Sequence, residues 1–84
     1  MNDTVKHPRH YEGDGFITCK DAMRSMMHGF ETNAAPVVCW WGIAFRYLWR
    51  WPWKGGVEDL RKCRESIDIM LDEIDARGGF RTGR

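Results

Sequence analysis

Ala35-Pro36-Val37-Val38-Cys39-Trp40-Trp41-Gly42-Ile43-Ala44-Phe45-Arg46-Tyr47-Leu48-Trp49-Arg50-Trp51 decides the fold. The run is too long for one strand, and a proline stands in its first turn, where a missing N–H is harmless. Pro52 stops it. The pattern predicts a helix over 35–51, with Asn33 as its cap. Almost every side is apolar, so the helix is a central one. In a chain of 84 residues two neighbouring helices cannot cover it, so an oligomer joined through this helix is expected.

Working outward, Lys54-Gly55-Gly56 opens a third helical segment over 57–76. Val57, Leu60, Cys63, Ile67, Met70 and Ile74 recur there at spacings of three and four, and Gly78-Gly79 ends the segment. On the other side, Thr18-Cys19-Lys20-Asp21 fits a helix start. Ala22, Met23, Met26 and Met27 give an apolar face, and Gly29 gives a stop, predicting a helix over 18–29. Residues 1–15 read as an N-terminal arm and 77–84 as a flexible basic tail. The expected fold class is therefore all-α: one domain over 1–84, three helices, an arm and a tail.

Composition narrows the function. Thirteen Lys and Arg against twelve Asp and Glu give +1, which speaks against broad or sequence-specific DNA binding. Cys19, Cys39 and Cys63 make an odd set without a CxxC pair, so a reducing compartment is expected. The polar start reads as no secretory leader, and Arg46 and Arg50 interrupt the one apolar run, so no membrane association is expected. Charge is segregated even so. Arg46, Arg50, Lys54, Arg61, Lys62 and Arg64 lie in the middle, whereas Glu65, Asp68, Asp72, Glu73 and Asp75 follow without a cation.

Arg46 and Arg50 share a helical face in an apolar setting and need an anion. It is either a ligand phosphate, which suits the guanidinium fork, or an internal carboxylate from Glu58 or Asp59. Lys54, Gly55 and Gly56 adjoin a helix N-terminus, where backbone donors attract anions. Lys62 adds a cation, and His10 and Tyr11 add hydrogen-bonding groups. Tyr11, Trp49, Trp51 and Trp53 are candidates to stack on a base; each Trp is equally an interface anchor. No Walker-type GxxxxGK[ST] occurs. His7 and His10 lack further ligands at zinc spacing, and the acids of the third helix read as a solvated face. No metal, cofactor or catalytic residue is expected on these grounds.

Taken in order, His7-Pro8, His10-Tyr11, Cys19 with Asp21, Gly42, Arg46-Tyr47-Leu48-Trp49-Arg50, Lys54-Gly55, Glu58-Asp59-Leu60 and Lys62 resemble the SaV-like family of small bacteriophage proteins. A related stretch occurs in the small nucleotide kinase of certain podoviruses. The resemblance implies a phage origin, a host-cytoplasm location and a connection with nucleotides. The chain is also similar in size and style to small helical phage proteins that sequester cyclic-nucleotide messengers of host immunity. Capture of such a ligand is the expected function. A nucleotide kinase or hydrolase is the alternative, and an inhibitor binding a host protein through its Trp-rich surface is a further one. Thr18, Ile43 and Arg46 stand where the family pattern has Glu, Asn and Lys, so no catalytic set is carried over.

Overall fold

The computed structural model describes residues 11–30 and 34–79. Three helices account for most of them: α1 over Cys19–Met26, α2 over Ala35–Arg50 and α3 over Val57–Ala76. All-α is the architecture, as the periodicity predicts. His7, His10 and Asn33, with most of the expected arm and tail, lie outside the described residues.

Each boundary has a local cause. The Asp21 N–H donates to Thr18 Oγ1 at 3.1 Å, which satisfies one of the orphan donors at the start of α1. That helix ends three residues before Gly29, in a short turn that Gly29 leaves at φ +74°. Ala34 caps α2 without a side-chain bond, and Pro36 sits in its first turn. Between α2 and α3, Gly56 adopts φ +60°, a conformation that side-chain-bearing residues rarely take.

α2 and α3 form an antiparallel hairpin that is the main packing unit, and α1 lies against α2 more lightly. The Cys63 thiol donates to the Ala44 carbonyl at 3.3 Å and fixes the hairpin's register near its middle. On α2, Val37 and Ala44 are buried. The side chains of Met23 in α1 and of Met27 just after it come to Gly42 of α2. Phe30 meets Trp41 edge-to-face with centroids 5.2 Å apart, extending this second contact.

The apolar pattern of α3 proves to be two stripes rather than one. Asp59, Cys63 and Ser66 are buried, and Met70 and Glu73 are half-buried, so spacings of four and three line the face toward α2. Val57, Leu60, Ile67, Leu71 and Ile74 belong to a neighbouring stripe, of which Val57, Ile67 and Leu71 are exposed at 57%, 45% and 51%. The predicted series alternated between them, because steps of three and four from Val57 drift around the helix. Two polar residues, Asp59 and Ser66, occupy the packed face instead. The Ser66 hydroxyl is satisfied by the Lys62 carbonyl at 2.8 Å.

Candidate functional site

The charged cluster at the α2–α3 end of the hairpin grows from Asp59. Its side chain is 3% exposed, a costly place for a carboxylate without partners. Arg50 Nε donates to Asp59 Oδ2 at 3.1 Å, and Arg50 Nη2 donates to Oδ1 at 3.4 Å, a forked pair. The Gly55 N–H donates to the same Oδ2 at 3.0 Å. The Arg50 hydrogen bonds hold the Asp59 carboxyl below its usual range against the opposing effect of burial, with the Arg50 charge, the Gly55 N–H and the Lys62 charge adding to them. Of the two carboxylates proposed from sequence as internal partners, Asp59 is the one that Arg50 meets. Glu58 instead pairs with Arg61 at 3.6 Å on the exposed side of α3.

This arrangement explains the double glycine. A Cβ at Gly55 would fall on the Asp59 carboxylate, whereas Gly56 supplies the left-handed turn. The backbone donors expected to face a ligand are engaged within the chain. Gly55 bonds to Asp59, and the Gly56 N–H bonds to the Trp51 carbonyl at 2.7 Å. A buried carboxylate has taken the position at the helix start that the sequence offered to a phosphate.

The second arginine and the arm complete the cluster. Arg50 Nη1 donates to Tyr11 Oη at 3.1 Å and Arg46 Nη2 donates to the same oxygen at 3.4 Å. Partial burial pushes the Tyr11 hydroxyl up, but the hydrogen bonds and charges of Arg46 and Arg50 outweigh it, and the net value lies below that of ordinary tyrosine. The Arg46 guanidinium also sits 5.8 Å from the Tyr11 ring centre. Tyr47 receives Arg50 at 5.0 Å and Lys62 Nζ at 5.9 Å from its ring centre. Beside them Ile43, Arg46, Tyr47 and Arg50 line a concavity of about 190 Å³.

The remaining predicted residues divide. Lys62 joins through Tyr47, whereas Lys54 is exposed and its N–H is bonded to the Arg50 carbonyl at 3.0 Å. Trp49 is tilted against Phe45 with centroids 5.8 Å apart and lies over Gly13, so it is a packing residue. Trp51 is half-buried and Trp53 is 76% exposed. Tyr47 was missed by sequence reasoning. Its position one residue after Arg46 and three before Arg50 was the available signal, obscured by the apolar run around it.

Among the described residues no group of three or more His, Cys, Asp or Glu is placed to hold a metal ion. No helix among them is long and apolar enough to cross a membrane. No protein-family model, curated protein or solved structure matches the chain.

Proposed function

We propose that this is a small phage protein that captures a nucleotide or cyclic-nucleotide signal in the host cytoplasm. The observation that carries the proposal is the convergence of Arg46 and Arg50 on one oxygen, Tyr11 Oη, at the edge of the concavity lined by Ile43 and Tyr47. Two guanidinium groups directed at one oxygen form the arrangement a phosphate oxygen requires. Arg50 is engaged by Asp59, so Arg46, with Lys62 beside Tyr47, is left to offer charge to a ligand. The concavity admits a phosphate or sugar-phosphate portion. A base would lie against an aromatic ring from Tyr11, Trp51 or Trp53. Capture needs only these groups, whereas a kinase or hydrolase would need a general base and a metal-binding carboxylate set.

Self-association belongs to the same proposal. The buried apolar residues among the described ones are Cys19, Ala34, Val37, Ala44 and Cys63, all small. Large ones such as Leu48, Ile67 and Leu71 stay about half exposed. Such a core is thin for a chain that folds alone.

The test is a thermal-shift series with mononucleotides, cyclic dinucleotides and cyclic trinucleotides, followed by calorimetry of any ligand that raises the Tm. Arg46→Ala should weaken that ligand about tenfold or more, since a charge-assisted contact contributes roughly 1.5–3 kcal/mol. Its melting temperature should stay near that of the parent. The proposal fails if no phosphate ligand shifts the melt, or if Arg46→Ala binds as the parent does. Trp53, at 76% exposure, favours a second reading in which an aromatic anchor docks on a host protein. Under it, Trp53→Ala abolishes binding to the host protein and nucleotides are inert.

A further inference from the structure

The exposed stripe of α3 has a charge pattern that selects its occupant. Leu60, Ile67, Leu71 and Ile74 lie at spacings of seven, four and three, the rhythm of a two-helix seam, and they flank the face that α2 covers. Ile67 stands at the middle of Val57–Ala76. On the solvent side of the stripe, Arg61 and Arg64 precede Ile67 and stand nearest to it, with Glu58 and Glu65 farther round the helix, and Asp68, Asp72 and Asp75 follow it; all are exposed. The seam is therefore edged most closely by cations in its first half and by anions alone in its second.

We propose that a second copy of this chain docks on the stripe, α3 against α3, antiparallel, with Ile67 at the two-fold axis. A two-fold axis there makes the interface isologous, so each contact occurs twice. Leu60 of one copy then falls opposite Ile74 of the other. Arg64 falls near Asp72, and Arg61 near Asp75. The segregated charges of one helix become complementary pairs between two. A parallel two-fold pairing with the same seam would instead turn this charged edge of one helix toward the α2-side edge of the other, so the complementary pairs would not form. The Glu58–Arg61 pair within α3 sits at 3.6 Å with both side chains 63% exposed, so it is too weakly held to withdraw Arg61 from a partner. The dimer also encloses part of what the single chain leaves open, because Ile67 and Leu71 are among the large residues that its own core does not reach.

This inference rests on the self-association proposed above, and the experiment separates the two. Sedimentation of the full chain at about 10 μM is expected to give a dimer that loosens as salt rises from 50 to 500 mM, as opposite charges are screened. Arg61→Glu with Arg64→Glu makes the stripe's border acidic throughout. Asp72→Lys with Asp75→Lys makes it predominantly basic, with Asp68 left as an acid. Each double variant alone should dissociate at least tenfold more readily while keeping its helical circular dichroism. An equimolar mixture of the two should recover a dimer, because each half then meets its opposite. A single-copy parent at every concentration overturns both self-association and this interface. A parent dimer that tightens with salt, or is indifferent to both double variants, leaves self-association standing and overturns the antiparallel α3 seam.

Discussion

Asp59 governs the stability of the cluster at the scale of single residues. A buried carboxylate that loses a partner is left with its desolvation cost, so Arg50→Ala should lower the Tm by on the order of 10 °C. Asp59→Asn should lower it comparably, and Gly55→Ala should do so as well, because its new Cβ collides with the carboxylate. The folded Asp59 carboxyl is depressed relative to the unfolded chain. Its contribution is therefore fully present above the unfolded value and is lost as pH falls through the folded one. Acid melts of the parent should show this loss, and melts of Asp59→Asn should lack that component. Thiol chemistry gives an independent check. Burial pushes the Cys19 and Cys63 thiols up, whereas Cys39 is exposed. A disulfide reagent at neutral pH should modify Cys39 quickly and the other two only on unfolding.

At the scale of elements, α2 offers a prediction against first intuition. Gly42 is in mid-helix, where glycine costs close to 1 kcal/mol relative to alanine. A Cβ there would meet Met23 Sδ at 3.6 Å and Met27 Cε at 3.7 Å, ordinary packing distances. Gly42→Ala should thus stabilise the chain by about 0.5–1 kcal/mol in urea melts, and a larger residue such as Gly42→Leu should push α1 away. The helices themselves were legible because Pro36, Pro52, the Thr18 cap and the paired glycines mark their ends in residue types with few alternatives. The α3 faces were less so. Apolar spacing shows that a helix has an inner side, but it cannot tell two adjacent stripes apart when one contains Asp59 and Ser66. The candidate site was legible in part. The need of Arg50 for an anion followed from its apolar surroundings, and Asp59 stood among the possible answers. Which carboxylate would be buried depended on the tightness of the Gly55-Gly56 turn. The approach of Tyr11 depended on a contact across 39 positions of chain that no local rule encodes.

For the whole molecule, the small size of the buried side chains has a calorimetric consequence. Heat capacity rises on unfolding in proportion to the apolar surface newly wetted, about 12–15 cal/mol/K per residue in ordinary globular domains. A chain whose interior is built from Cys, Ala and Val has little such surface to reveal, so the single chain should fall below that range. Its free-energy curve against temperature would then be unusually flat, with cold losses as shallow as hot ones. Dilution moves the chain between two regimes. Concentrated samples should melt later and with a larger heat-capacity step, because docked Ile67 and Leu71 are wetted in the same transition. Dilute samples should melt earlier, with the smaller step of a thinly filled helical hairpin.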